Sequence, residues 1–224
     1  MQQKIKLAKY FDHTVLKPEI TSADIEKLCS EAAEYGFFSV CVNPVWVKLS
    51  KKLLKGSKVD ICTVVGFPLG ANTTKIKIAE TELALEEGAK EIDMVINIGK
   101  LKEGDTDFVR KEISKLKKIT GKRILKVIIE TALLTEDEKR TAIKLVKDAG
   151  ADFVKTSTGF AKSGATIDDI SLMRKIGGKS LKVKASGGVK TLDFALALIE
   201  AGANRIGASS SVDIMEDWLK KNPV

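Results

Sequence analysis

The sequence predicts an α/β protein, a single (β/α)8 TIM barrel over residues 1–224 with a short N-terminal extension. One unit recurs along the chain: an amphipathic segment, a glycine, and a short apolar run rich in Val and Ile, as buried parallel strands are. Eight such runs in about 220 residues fit a compact barrel. An open doubly wound sheet is the alternative, but it usually carries a glycine-rich fingerprint after its first strand, and "FDHTVLKPE" contains none.

The first predicted strand lies in "KYFDHTVL", and the other seven close recurring units. These units are "EYGFFSVCVNP", "LKGSKVDICTVVGFP", "EEGAKEIDMVIN", "ITGKRILKVIIE", "DAGADFVKTS", "IGGKSLKVKAS" and "EAGANRIGASS". The glycine in each unit fits the left-handed residue that closes a helix. Alternation of strand and helix indicates a mainly parallel sheet.

Helices are predicted between the strands. Ile25, Leu28, Cys29 and Ala32 recur at the spacing of one helix face. Thr21 to Asp24, Thr135 to Glu138 and Thr166 to Asp169 resemble the boxes that begin helices.

Composition excludes several classes of protein. The chain is 44% hydrophobic and 30% charged, as soluble globular proteins are. No apolar run reaches the ~18 residues of a membrane span, and "MQQKIKLAKYFDHT" has no apolar signal core, so we expect a cytoplasmic protein with no membrane partner. The net charge of +8 comes mostly from dispersed lysines without aromatic RNA-binding motifs, which argues against a nucleic-acid partner.

Cysteine and histidine are too sparse for common metal sites. Cys29, Cys41 and Cys62 form no CxxC pair, and His13 is the only histidine. Zinc and non-haem iron sites usually need more such ligands, so we expect neither a metal nor a disulfide framework. Cys41 and Cys62 have core-like neighbours and are interpreted as packing residues.

Charged residues interrupt the predicted strands near the carboxyl ends, where barrel enzymes place their active sites. Because strand side chains alternate, these groups should face the barrel axis. The set comprises Asp12 and Lys184 at the ends of strands 1 and 7, Asp93 in strand 4, Lys126 and Glu130 in strand 5, and Lys155 at the end of strand 6. For Asp12 and Lys126, a structural ion pair is an equally good interpretation.

Lys155 and Lys184 are predicted at equivalent heights on adjacent strands. Repulsion between two close ammonium groups, together with burial, should lower the pKa of one amine, as a Schiff-base nucleophile requires. Asp93, facing the same axis, could relay protons through water. The hydroxyls of Thr156, Ser157 and Thr158 could hold that water or the substrate, or could simply cap the strand end.

Two small-residue loops follow the last two strands, where barrels often bind phosphate. They are "SGG" at Ser186–Gly188 and "GASS" at Gly207–Ser210, and Gly159 could join them. The alternative is that these loops are only tight turns.

The motifs "FDHT", "VCVNP", "VVGFPLG", "EIDMVIN", "LKVIIET", "FVKTSTGF", "VKASGGV" and "IGASS", in this order, resemble those of the deoxyribose-phosphate aldolases. The resemblance implies class I, Schiff-base cleavage of 2-deoxy-D-ribose 5-phosphate into D-glyceraldehyde 3-phosphate and acetaldehyde, without a metal or organic cofactor. It also implies a homo-oligomer. It places the Schiff-base lysine at Lys155, proton donors and acceptors at Asp93 and Lys184, and a supporting polar network at Asp12 and Lys126. Substrate and phosphate binding fall to Thr158, Gly159, Gly187, Gly188, Gly207, Ser209 and Ser210.

One loop departs from the family pattern. After "TSTGF" the family usually continues with small residues, but here the loop reads "AKSGAT", and Lys162 either points to solvent or contacts the phosphate. Two other functions stay open: a different Schiff-base barrel aldolase or transaldolase, and a basic nucleic-acid-binding module.

Overall fold

A computed structural model describes residues 7–222. The first six residues, which make up most of the predicted N-terminal extension, lie outside this range. Eight strands form a closed barrel in sequential order, and each pairs in parallel with its neighbours, including β1 with β8. The predicted (β/α)8 barrel is therefore confirmed, and the open sheet is excluded.

The strands are short. They run over Phe11–Val15 (β1), Ser39–Val42 (β2), Asp60–Val65 (β3), Glu91–Val95 (β4), Ile124–Ile128 (β5), Phe153–Lys155 (β6), Lys182–Ser186 (β7) and Arg205–Ala208 (β8). Lys184 is the middle residue of β7 and Asp12 the second of β1, so the prediction that they end their strands was wrong. Glu130 lies two residues beyond β5 rather than within it.

Helices surround the barrel. They run over Ser22–Tyr35 (α1), Val47–Leu53 (α2), Thr74–Glu87 (α3), Ile98–Lys102 (α4), Thr106–Thr120 (α5), Glu136–Asp148 (α6), Ile167–Gly177 (α7), Leu192–Glu200 (α8) and Ser211–Lys221 (α9), with 3₁₀ turns at Pro44–Trp46 and Thr131–Leu133. No helix among the described residues is long and apolar enough to cross a membrane.

The predicted helix signals act as expected. The Thr135 hydroxyl accepts the backbone N–H of Glu138, whose carboxylate accepts the N–H of Thr135. Thr166 accepts the N–H of Asp169 at the start of α7, at 3.0 Å. At the other end of a helix, Gly36 closes α1 with φ 71°, a left-handed conformation that costs glycine little.

The core has two parts of opposite character. Apolar side chains such as Ile92, Val127 and Ile206 fill the layer between strands and helices. Inward-facing positions on the strands carry many charged groups instead, and the register brings them side by side. Asp93 pairs with Lys126 across β4 and β5, and Lys155 pairs with Lys184 across β6 and β7. The barrel thus encloses a charged site in an apolar shell.

Candidate active site

Asp93 on β4 is the centre of a buried ionic cluster. Its Oδ2 accepts hydrogen bonds from Lys155 Nζ at 2.8 Å and from Lys184 Nζ at 2.7 Å. Its Oδ1 accepts one from Lys126 Nζ at 2.9 Å. Three lysines on three successive strands therefore share one fully buried carboxylate.

Asp12 on β1 is a second acceptor in the cluster. Its Oδ2 lies 2.5 Å from Lys184 Nζ, and its Oδ1 accepts the guanidinium of Arg205 and the hydroxyl of Ser39. Lys184 therefore bridges the two aspartates. Asp12 and Lys126, for which a structural ion pair was the alternative interpretation, make a longer contact with each other, at 3.9 Å.

Two members of the cluster, Glu91 and Arg205, were missed by sequence reasoning. Arg205 reaches both Asp12 and Glu91, with a 3.0 Å contact to Glu91 Oε2, and Glu91 also pairs with Lys126. Period-two alternation could have found Glu91, since it precedes Asp93 by two residues on β4. Arg205 could have been found as a charge inside an otherwise apolar strand.

Electrostatics favour the charged forms of the carboxylates. Burial raises the pKa of Asp93, but the ammonium groups of Lys126, Lys155 and Lys184 outweigh burial and hold that pKa well below its usual range. The pKa of Asp12 is likewise lowered, because Arg205 and Lys184 outweigh its burial. Both aspartates are therefore anionic at neutral pH.

The predicted repulsion between Lys155 and Lys184 needs correction. Their strands align as expected, but Asp93 Oδ2 lies within hydrogen-bond distance of both ammonium groups. Burial alone would lower the pKa of Lys184, yet the charges of Asp12 and Asp93 raise it above its ordinary value. Lys184 is thus held as an ammonium, a form that can donate a proton.

The cluster carries one more cation than anion. Its four cationic groups are Lys126, Lys155, Lys184 and Arg205, and its three carboxylates are Asp12, Glu91 and Asp93, so the formal charge is +1 when all are ionised (4 − 3). Of these seven residues only Lys155 lines the cavity described next. A proton lost from Lys155 would neutralise the cluster.

A cavity of about 330 Å³ opens beside Lys155 among the loops that follow β1, β6, β7 and β8. The predicted binding residues Thr158, Gly159, Gly187, Gly188, Gly207 and Ser209 line it. Ser210 does not line it and instead precedes α9. Lys17 and Lys190 line it although sequence reasoning did not single them out, and Lys162 is exposed outside the lining.

The loops after β6 and β7 touch through their backbones. Gly187 has φ 86°, and a Cβ there would lie 2.9 Å from Gly164 Cα. The N–H of Ala165 donates to Gly187 O at 3.0 Å. Only glycine fits this approach, which leaves the cavity lined by backbone.

The three hydroxyl residues after Lys155 have separate roles. Thr156 caps the strand end, since its hydroxyl donates to Ser186 O and accepts from Ser186 N, both at 3.0 Å. Ser157 is buried, and its carbonyl accepts the Ser186 hydroxyl at 2.6 Å. Only Thr158 lines the cavity.

Cys41, Cys62 and Asp93 bring three potential metal ligands within 4.8 Å of one another. Lys126 Nζ already supplies a positive charge there, 3.4 Å from Cys62 Sγ and 2.9 Å from Asp93 Oδ1. Burial also raises the pKa of the Cys62 thiol well above its ordinary value, whereas metal binding requires thiolate. The group therefore suits an ammonium better than a metal ion.

The interpretation of Cys41 and Cys62 as packing residues was incomplete. Both pack with Leu16 and Val64. Cys62 Sγ also lies 3.1 Å from Asp93 Oδ1, so this thiol belongs to the polar cluster as well.

Comparison with known proteins places this chain in one family. The model of the DeoC/LacD family aldolases matches residues 6–216. A deoxyribose-phosphate aldolase of Clostridium perfringens (strain ATCC 13124) is 58% identical, covering 95% of this chain and 96% of the relative. One from Thermoanaerobacter sp. (strain X514) is 55% identical, covering 96% and 98%. The solved structure of the deoxyribose phosphate aldolase from Aeropyrum pernix superposes with a TM-score of 0.90 at 32% identity, covering 100% of this chain and 94% of that one. The chain therefore belongs to the DeoC/LacD family of aldolases, among its deoxyribose-phosphate aldolases.

Proposed function

We propose that the protein reversibly cleaves 2-deoxy-D-ribose 5-phosphate to D-glyceraldehyde 3-phosphate and acetaldehyde through an imine on Lys155. The observation that carries this proposal is the position of Lys155. Its amine donates a hydrogen bond to Asp93 Oδ2, which also accepts one from Lys184, and Lys155 is the member of the charged cluster that lines the cavity. The substrate is supported by the names of the relatives.

Lys155 must be neutral to attack the C1 aldehyde of the open-chain sugar. Its proton can pass along the hydrogen bond to Asp93 Oδ2, which also accepts from Lys184. The formal charge of the buried cluster falls to zero only when Asp93 passes this proton on to water, which leaves Lys155 neutral and Asp93 anionic again. The carbinolamine then accepts a proton from Lys184 and loses water to give the imine.

The retro-aldol step breaks the C2–C3 bond, because acetaldehyde takes carbons 1 and 2. Asp93, acting through water, removes the proton of the C3 hydroxyl, and C3 becomes the aldehyde carbon of glyceraldehyde 3-phosphate. The electron pair of the broken bond moves into the protonated imine and leaves an enamine. Protonation of enamine C2 and hydrolysis of the imine then release acetaldehyde and restore Lys155.

In this proposal the phosphate binds at the small-residue loops that line the same cavity as Lys155. Backbone N–H groups near Gly187 and Gly188, and those at Ser209 ahead of α9, suit an oxyanion, and the N-terminal end of α9 adds a favourable dipole. Lys17 and Lys190 are exposed lining residues and add positive charge to the cavity.

We further propose a homo-oligomer acting in the cytoplasm, with a phosphorylated sugar and neither nucleic acid nor membrane as its partner. The relative from Aeropyrum pernix is described as tetrameric, which supports the oligomer. Sugar phosphates are anions that cross membranes poorly, which supports the location. That residues 1–224 form one domain remains a prediction.

A coupled assay tests the proposal by following glyceraldehyde 3-phosphate release from 2-deoxyribose 5-phosphate, with and without EDTA. We expect equal turnover in both conditions, since every proposed step uses side chains. Turnover with dihydroxyacetone but not acetaldehyde as donor would instead support another Schiff-base aldolase or a transaldolase. Salt-sensitive nucleic-acid binding without turnover would support a binding module.

A further inference from the structure

Glu130 has an unusual backbone conformation for a glutamate. It follows β5 with φ 53° and ψ 70°, and it is the one non-glycine residue with positive φ among residues 7–222. Side chains with a Cβ rarely adopt this conformation, and such strain is concentrated at functional sites. We therefore expect the carboxylate of Glu130 to have a function.

The carboxylate of Glu130 is buried and is directed to one partner. Its Oε2 accepts both the backbone N–H of Thr158, at 3.2 Å, and the Thr158 hydroxyl. Its Oε1 is also buried and has no hydrogen-bond partner in the part of the chain that the structure describes. A carboxylate held this way is expensive for stability alone.

These contacts determine in which direction the Thr158 hydroxyl donates its hydrogen bond. The Thr158 hydroxyl donates to Glu130 Oε2, the oxygen that also accepts the Thr158 N–H, so the hydroxyl proton points to Glu130. The N–H of Phe160 donates to the same hydroxyl oxygen at 3.1 Å. One lone pair of Thr158 Oγ1 remains, and Thr158 lines the cavity beside Lys155. The hydroxyl can therefore only accept a hydrogen bond from a ligand.

We propose that Glu130 is a positioning residue that makes Thr158 a fixed hydrogen-bond acceptor, and so sets the preference for an acceptor aldehyde with a hydroxyl beside its carbonyl. This inference rests on the proposed function. The imine holds C1 at Lys155 and the phosphate occupies the glycine loops, so the C4 hydroxyl lies between them, in the cavity that Thr158 also lines. In the condensation direction this group is the 2-hydroxyl of glyceraldehyde 3-phosphate.

The test compares two acceptors with acetaldehyde as donor: D-glyceraldehyde 3-phosphate and 3-phosphooxypropanal, which lacks the 2-hydroxyl. The measured quantity is the kcat/KM for D-glyceraldehyde 3-phosphate divided by the kcat/KM for 3-phosphooxypropanal. Glu130→Asn keeps a residue that tolerates positive φ but is too short to reach Thr158. We expect it to lower the ratio about five- to tenfold, the effect of one hydrogen bond. Thr158→Val, which removes the hydroxyl, should lower the ratio at least as much.

The double variant tests whether Glu130 acts through Thr158. In the Thr158→Val background, Glu130→Asn should cause no further change in the ratio. Glu112→Gln is the matched control, because Glu112 is also a buried glutamate but pairs with Lys77 between α3 and α5. It should leave the ratio at the wild-type value.

Three results would overturn the inference: a wild-type ratio near one, an unchanged ratio in Glu130→Asn with both rates reduced equally, or additive effects in the double variant. The second result would show that Glu130 only holds the loop in place. Failure of the proposed function is distinct, because the wild-type protein would then use neither acceptor.

Discussion

Lys155 and Lys184 donate hydrogen bonds to the same oxygen atom, Asp93 Oδ2, at 2.8 and 2.7 Å. A single carboxylate oxygen thus connects the amine that lines the cavity with an amine that does not. A proton can pass between the two lysines through one acceptor, without a change in the fold. The two lysines therefore differ in role: Lys155 can reach a substrate in the cavity, whereas Lys184 does not line the cavity and exchanges protons with Lys155 through Asp93.

Lys184→Met should reduce kcat at least 100-fold, because the charged amine that donates the proton for loss of water is removed. KM should change less, since Lys184 does not line the cavity. Asp93 keeps Lys126 and Lys155 as partners and Asp12 keeps Arg205, so we expect a folded protein by circular dichroism. Lys182→Met, an exposed lysine two residues earlier on the same strand, is the control and should keep wild-type kinetics. A wild-type kcat in Lys184→Met would remove this lysine from the mechanism.

Gly187→Ala should weaken binding of the phosphate. The new Cβ would lie 2.9 Å from Gly164 Cα at a residue with φ 86°, so the loop must shift. We expect KM for 2-deoxyribose 5-phosphate to rise about tenfold or more, while kcat/KM for unphosphorylated 2-deoxyribose stays nearly constant. Gly188→Ala is the matched variant, with positive φ but no atom within 4 Å of its Cβ, and should have a smaller effect. Equal losses with both sugars would place the phosphate elsewhere.

Arg205→Met should destabilise the fold strongly. It removes the cation between Asp12 and Glu91 and leaves buried carboxylates underpaired. Breaking such a pair costs about 3–5 kcal/mol, which for a domain of this size lowers Tm by roughly 10 °C. Arg110→Met, which removes an exposed pair with Asp107, should leave Tm within error. Similar Tm values for the two variants would argue against a structural role for the buried cluster.

Stability should fall as pH drops from about 7 to 5, because of His13. Burial lowers the pKa of His13, and its hydrogen bond to Glu31 and the nearby charge of Asp213 only partly oppose this. Below about 6.5 the unfolded chain therefore binds a proton that the folded chain does not, and unfolding is favoured. His13 is the only histidine. The carboxylates of Asp12 and Asp93, whose folded-state pKa values are lowered, lose their contribution only at more acidic pH.

Urea unfolding of wild type and His13→Gln at pH 7, 6 and 5 measures this effect. We expect the unfolding free energy of the variant to depend less on pH than that of the wild type. Parallel slopes for the two proteins would show that other groups control stability in this range.

The fold was predictable because its signals are local and repeated. Gly36 ends one helix and the Thr135–Glu138 pair begins another, each through hydrogen bonds within a few residues. The apolar runs between successive helices indicate parallel strands. Lys155, Lys184 and Asp93 could be singled out because a charge in a buried strand is costly without a partner.

The pairing of those charges could not be predicted from spacing. Which lysine meets which carboxylate depends on barrel register and side-chain reach across 91 positions, as from Asp93 to Lys184. The sequence therefore suggested repulsion between two lysines where the fold places a shared carboxylate. Glu130 was likewise predicted as a strand residue. Its left-handed backbone and its contact with Thr158 in another loop could not be predicted from the local sequence.

The central claim is that Lys155 forms the imine, and reductive trapping tests it most directly. The protein is incubated with one equivalent of 2-deoxyribose 5-phosphate, reduced with borohydride, and digested for mass spectrometry, with Lys155→Met as the control. We expect one reduced adduct, on the peptide containing Lys155, and none in the control. An unmodified Lys155, or an adduct on another lysine such as Lys184, would contradict the account.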